Sequence, residues 1–288
     1  MAVDVGKELS GGVTCITGSA KNTGKTTFMN HVLPILRREG TTAYLTIGVD
    51  GERRDRIFGT PKPLIRAGEG DYLVTSETMA AAGDLLYSLE EVFPFRTVLG
   101  RIVLLKVLRG GTVELAGPAD NRQLSCILNY LQRETPADSV IIDGAVNRIT
   151  QVSSAGQAGF VYVLEVSPES LDGALKIMKK LVLTQGLEPP GEEEDCFSLE
   201  GALTAAKAGT VPREAGCLSV EDFTKIFLDE RELRTLMKRV TLRCRNTYSL
   251  RFFVVNLKDM RREDFLDVLE AHGLDEKILF NPYQREVI

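Results

Sequence analysis

Gly24, Lys25 and Thr26 follow one another in the chain and together suit one kind of ligand. A glycine lets backbone N–H groups approach phosphate oxygens. The lysine ammonium is a point charge for β- and γ-phosphates, and the threonine hydroxyl can ligate Mg²⁺. The flanking pattern agrees with that chemistry. An apolar, β-rich run (VTCIT, 13–17) precedes the tripeptide. A helical pattern runs from Lys25 to just before Gly40, and its N-terminus adds partial positive charge. This context predicts a loop that holds the phosphates of ATP through Gly18, Lys21, Asn22, Thr23, Gly24, Lys25, Thr26 and Thr27. Lys21 could also be a solvated charge, with the phosphate role favoured. The usual spelling, Gly-x-x-x-x-Gly-Lys-Ser/Thr, places its first glycine at position 19. Ser19 stands there and Gly18 comes one place early, so Gly18 is expected to let the chain leave the strand.

A phosphate-bound Mg²⁺ also needs a carboxylate. The run Val140-Ile141-Ile142-Asp143 has the form of a buried strand ending in an acid, which makes Asp143 a metal ligand beside Thr26. Gly144 follows, so the adjacent glutamate that many motor ATPases use as a base is missing. Asp50 and Glu52, at the end of a strand-like run over 42–47, are the candidates to position water. Asp50 is also a third candidate for the metal. Turn formation beside Gly51 accounts for them equally well. Lys25, Asp50 and Glu52 form the catalytic set on this reading. Arg148, in a segment after Asp143, is a weaker candidate for the γ-phosphate. Near the C-terminus, FFVVNLKD (252–259) ends an apolar run in Asn-Leu-Lys-Asp. Guanine-specific proteins carry Asn-Lys-x-Asp at such a place, but Lys258 is one position late, so guanine is not read from it.

The elements that must position these groups follow from periodicity. Strand patterns recur over 139–144, 159–166, 217–220, 240–244 and 251–256, and helical patterns over 120–133, 168–183, 229–239 and 261–272. Leu124, Ile127, Leu128 and Leu131 mark one helix face. Strands alternating with helices predict an α/β fold of the P-loop NTPase type, with a mostly parallel central sheet and helices on both faces. Residues 56–118 read as a β-rich, antiparallel insertion with a hairpin at Gly110-Gly111. Pro34 is expected to kink or break its helix. The segment 188–196 (EPPGEEEDC) reads as an exposed acidic loop. The chain is read as a single domain over 1–288.

Composition excludes several classes. The chain has 288 residues, 43% hydrophobic and 26% charged, with a formal net charge of -5 and no basic stripe, which argues against nucleic acid as a partner. Five widely spaced cysteines without a CxxC argue against a disulfide framework or a zinc site, leaving most as small buried hydrophobes. Neither histidine, His31 nor His272, has partners that suggest a metal or a nucleophile. No run reaches the ~20 apolar residues of a membrane span. The acidic N-terminal stretch with Asp4 and Glu8 lacks a signal-peptide core, so a cytoplasmic protein without membrane partners is expected.

TGSAKNTGKTTFMNHVL closely resembles loops of a group of bacterial P-loop proteins spelled Gly-x-Ala-Lys-Asn-x-Gly-Lys-Thr-Thr, whose spacing matches Gly18 to Gly24. LTIGVDGERRD (45–55), FGTPKPLI (58–65), IIDGAVNR (141–148), LEGALT (199–204) and DFTKIF (222–227) look similar to later motifs of that group. The family is the ATPase-like subunit of the lysine 5,6-aminomutase reactivase, with relatives that accompany ornithine aminomutase. The resemblance implies a nucleotide-dependent reactivase or chaperone. Its partners would be an adenosylcobalamin- and PLP-dependent aminomutase and a MutS-related ATPase. The residues leave other readings open. A small-molecule kinase would use Arg53, Arg54 and Arg56 as a lid. A non-hydrolysing nucleotide-binding accessory module would be similar to the molybdopterin-guanine-dinucleotide accessory proteins. A structural protein with a vestigial loop is the remaining alternative.

Overall fold

The run Val13–Gly18 forms a strand whose first five residues are all buried. Because successive side chains of a strand point to opposite faces, unbroken burial means that both faces are covered. The computed structural model describes residues 3–20, 23–47, 64–144, 158–274 and 277–280. In chain order the elements begin with α1 (Val5–Leu9), β1 (Val13–Gly18), α2 (Lys25–Glu39), β2 (Thr42–Thr46), β3 (Ile65–Ala67), β4 (Tyr72–Ser76) and α3 (Glu77–Ala82). Next come β5 (Leu86–Thr97), β6 (Gly100–Arg109), β7 (Gly111–Val113), α4 (Asn121–Glu134), β8 (Ser139–Asp143) and β9 (Gly159–Val166). The remainder is α5 (Leu171–Gln185), β10 (Phe197–Ser198), α6 (Ala205–Thr210), β11 (Cys217–Val220), α7 (Glu230–Met237), β12 (Thr241–Cys244), β13 (Ser249–Leu257), α8 (Arg262–Ala271) and β14 (Ile278–Phe280). No helix among the described residues is long and apolar enough to cross a membrane.

The chain divides into two compact units. One comprises Met1–Glu165, Arg251–Asn256 and Ile278–Asn281; the other comprises Val166–Leu250, Leu257–Lys277 and Pro282–Ile288. The first is an α/β unit around a sheet that, among the described residues, has nine strands in the order β14-β13-β9-β1-β8-β2-β4-β6-β5. β1 pairs in parallel with both β8 and β9, β2 with β8 and β4, and β13 with β14. β4 and β6, and then β6 and β5, are antiparallel. β1 thus lies inside the sheet, with β9 on one side and β8 on the other.

Helix α2 buries Phe28, Met29, Val32, Leu33 and Leu36, a stripe at helical spacing that enters the main core with Ile16, Ile141 and Val161. Pro34 does not break this helix, one of the two outcomes expected of it. Its ring lies on the exposed side, between buried Leu33 and Leu36 that hold the helix in place. The Gly110-Gly111 pair does not turn a hairpin between its flanking runs. The hairpin is β5–β6, and after the glycines β7 leaves to pair with β3. A Cβ on Gly111 would lie 2.6 Å from an Asp84 carboxylate oxygen and 2.8 Å from the Leu85 backbone, so this glycine serves a close approach.

The second unit has a three-stranded parallel sheet, β10-β11-β12. Leu203, Leu218, Val220, Leu233 and Leu242 are in its separate core. Helix α7 starts on a capping box in which Asp229 accepts from the Glu232 N–H and the Glu232 carboxylate accepts from the Asp229 N–H. One cysteine expectation is corrected here: Cys196 and Cys217 form a disulfide. Cys15, Cys217 and Cys244 are buried, in line with the expectation for most of the five, while Cys126 is exposed. The pairing is a product of register. Phe197 stands opposite Leu218, which brings the preceding cysteines alongside each other across 21 residues of sequence. Within the acidic segment, Glu188 and Glu194 are both bound by Arg243.

One buried ion pair ties the β3–β4 region to the central layer. Asp71, 1% exposed in its side chain, accepts from Arg37 Nε (2.7 Å) and Nη2 (2.6 Å) of α2, from the Tyr44 hydroxyl of β2 (3.0 Å) and from the Gly68 N–H (2.9 Å). Removing one partner leaves the guanidinium uncompensated, so Asp71→Ala is expected to destabilise by about 3 kcal/mol. Urea unfolding of the variant against the wild type measures this, and a difference within error would show the network to be dispensable.

Candidate functional site

Gly18 pairs with Val163 at the carboxyl end of β1, and the Ser19 N–H donates to the Val163 carbonyl (3.2 Å). A Cβ on Gly18 would sit 2.5 Å from that same carbonyl oxygen and 2.9 Å from Thr23 Oγ1. Real Cβ atoms do not approach so closely, so the glycine that the loop needs is at 18. Ser19 is exposed and tolerates its side chain. The shift of one position against the usual spelling therefore has a steric cause.

From there the loop closes on α2. Gly24 caps this helix with φ 93°, in the left-handed region that favours glycine. The Phe28 N–H donates to the Gly24 carbonyl at 2.8 Å, which starts the helical ladder. Thr23, 4% exposed, donates through its hydroxyl to the Ala20 carbonyl (3.2 Å). Lys25 Nζ bends back across the loop to the same carbonyl (2.5 Å) and to Thr23 Oγ1 (3.3 Å). Burial pulls the Lys25 ammonium below its ordinary value, and the charge of Asp143 opposes that shift.

β8 lies directly beside β1, with Asp143 in register with Ile16 on one side and with Thr46 on the other. The Thr46 hydroxyl and the Ile47 N–H donate to the Asp143 carbonyl (2.9 and 3.0 Å), and the Gly144 N–H donates to Ile16 (3.2 Å). These bonds hold the strand end. The Thr26 hydroxyl then donates to Asp143 Oδ2 at 3.1 Å, across 117 residues of sequence. Burial pushes the Asp143 carboxyl above its usual range, while the Thr26 hydrogen bond and Lys25 pull it back. A hydroxyl, a carboxylate and an ammonium are thus gathered at the start of a 15-residue helix. Oxygen donors of this type suit a hard cation such as Mg²⁺, and the lysine with the helix end suits an oxyanion.

Gly18, Thr23, Gly24, Lys25, Thr26 and Asp143 are brought to one place, and exposed Thr27 lies on the first turn of α2. Lys21, Asn22, Asp50, Glu52, Arg53, Arg54, Arg56 and Arg148 lie outside the described residues. Sequence reasoning passed over Thr46 and Gly117, and weighed Asn256 only as part of a guanine-reading motif. Thr46 holds the Asp143 backbone. Gly117 packs so tightly that a Cβ would lie 1.6 Å from the Thr46 carbonyl oxygen. Asn256, at the end of β13, donates through Nδ2 to the Thr23 carbonyl at 2.5 Å. A polar residue ending an apolar strand was the available signal for Asn256; nothing local marks Thr46 or Gly117.

No family model, curated protein or solved structure matches the chain.

The raised carboxyl of Asp143 has a consequence for stability. A folded-state pKa above the unfolded value favours folding while the acid is protonated, and that contribution is lost as pH rises through the folded pKa. At neutral pH the ionised carboxylate is therefore a net cost. Asp143→Asn keeps an acceptor for Thr26 without the charge. It is expected to melt higher than the wild type at neutral pH without ligand, and the gap should close as pH falls below the raised pKa. Melting curves of both proteins from acid to neutral pH test this. A variant that melts lower throughout would show that the charge stabilises the site.

Proposed function

We propose that the chain is a P-loop NTPase-type protein that binds ATP with Mg²⁺ and works as a nucleotide-dependent switch. The single observation that carries this reading is the Thr26–Asp143 hydrogen bond, which joins the helix start after the loop to the acid-bearing strand. Thr26 and Asp143 would hold Mg²⁺, which when bound supplies charge balance for the β- and γ-phosphates. Lys25, already bent over the loop, would move to the phosphates, and the α2 N-terminus would face the negative charge. Desolvation of Lys25 and Asp143 supports the same reading, because a bound phosphate and its metal balance both charges.

Gly144 follows Asp143, so the described residues offer no adjacent carboxylate to activate water. Slow hydrolysis that a partner completes is therefore proposed, with Asp50 and Glu52 as the groups that position water. In nucleotide switches, loop segments that contact the γ-phosphate and Mg²⁺ couple nucleotide state to partner binding. The resemblance to the reactivase family supports a cytoplasmic role with an adenosylcobalamin- and PLP-dependent aminomutase and a MutS-related ATPase.

Mg-ATP should raise the melting temperature, by the equivalent of roughly 2.7 kcal/mol at 100 Kd. Lys25→Ala should remove the rise. Melting curves left flat by millimolar ATP, GTP and ADP would sink the nucleotide reading; a shift with GTP alone would reverse the base preference. Basal ATPase activity should be low and climb when the aminomutase and the MutS-related protein are added together. Asp50→Ala should abolish the climb while sparing nucleotide binding. Rapid γ-phosphate transfer to a metabolite by the isolated chain would favour the kinase reading instead.

A further inference from the structure

Asn256 stands 233 residues from Thr23 in sequence, yet its side chain is bonded to the phosphate-loop backbone. Both residues belong to the first unit. Nδ2 must be the atom that faces Thr23, because the partner is a carbonyl oxygen and accepts only. That orientation leaves Asn256 Oδ1 buried and, among the described residues, without a hydrogen-bond partner. A buried unpaired acceptor is unfavourable, and a native structure that keeps one calls for an explanation. An apolar residue would avoid that cost at the end of a strand whose preceding Phe252–Val255 are all buried. Among the described residues, the side-chain bond the amide makes is the one to Thr23.

That bond acts on a particular peptide plane. The Thr23 carbonyl and the Gly24 N–H belong to one planar trans unit and point in opposite directions. Gly24, in its left-handed conformation, has no Cβ to hold the plane by contact, so the peptide needs an external restraint. We propose that Asn256 is a positioning residue: it clamps the Thr23 carbonyl towards β13 and so aims the Gly24 N–H into the loop, where a phosphate oxygen accepts it. The clamp rests on the phosphate-binding reading and adds to it a residue from the far end of the chain. It concerns the oxyanion alone, since it sets a backbone donor and touches neither base nor metal ligand.

Calorimetric titration of the full-length chain with ATP, and separately with inorganic pyrophosphate, tests the clamp. Asn256→Asp is nearly isosteric and replaces the donor by an acceptor; Asn256→Ser keeps a donor with shorter reach and covers the case in which the aspartate fails to fold. Each variant should bind both ligands more weakly, with ATP and pyrophosphate losing affinity by the same factor within a variant, roughly tenfold where the donor is lost in the aspartate. The serine variant should be less affected than the aspartate. The dependence of binding on Mg²⁺ should be unchanged, since Thr26 and Asp143 are untouched. Wild-type affinity in either folded variant overturns the clamp. Weakened ATP binding with unchanged pyrophosphate binding also overturns it, assigning Asn256 to the nucleoside. A wild-type chain that binds neither probe overturns the phosphate reading beneath it.

Discussion

The adjacency of β1 and β8 is the constraint on which the candidate site depends. It places the end of one strand, where the loop departs, beside the end of another that carries Asp143. A buried carboxylate is tolerated only with hydrogen bonds or opposite charge close by. Thr26 supplies the bond and Lys25 the charge. The adjacency of the two strands, at a spacing of about 5 Å, keeps these groups within reach of one another. The glycines serve the same approach. Gly18 lets the loop pass the Val163 carbonyl, and Gly117 lets a neighbouring segment lie against Thr46.

This arrangement places charged groups where burial disfavours their charge. Lys25 and Asp143 are each shifted against their charged forms by burial. The surrounding scaffold makes such a site possible: α2 anchors five buried residues, and Arg37 on its last turns is bonded to buried Asp71. Proteins that hold unfavourable groups at a site offset them with ordinary packing elsewhere, and here the main core around Phe28, Leu33 and Ile141 is continuous with the site's own elements.

The second unit has its own hydrophobic core and its own parallel sheet. Its disulfide is flanked by a salt-bridged acidic segment, in which one arginine, Arg243, is bonded to Glu188 and Glu194. Residues that read as a solvated acidic loop are thus partly tied down. Charge runs give no sign of such pairing, because the arginine comes from β12, some fifty residues later.

Local pattern alone determined much of the fold. The strands Val13–Gly18, Ser139–Asp143 and Gly159–Val166, and the helices Lys25–Glu39 and Asn121–Glu134, lie where periodicity and capping residues put them. Those signals act over a few residues, within one element, and so are present in the sequence itself. The short elements were not legible: α1, α3, α6, β3 and β14 are too brief to show a period. For the site, the residue types and spacing from Gly18 to Thr26, together with Asp143 at a strand end, were sufficient to nominate its centre. Only the tertiary structure decided that β7 pairs with β3, that Cys196 meets Cys217, and that Asn256 reaches the Thr23 carbonyl. Each of these depends on strand order and register across long stretches of chain. Such choices are made by the packing of whole layers, which no local propensity encodes.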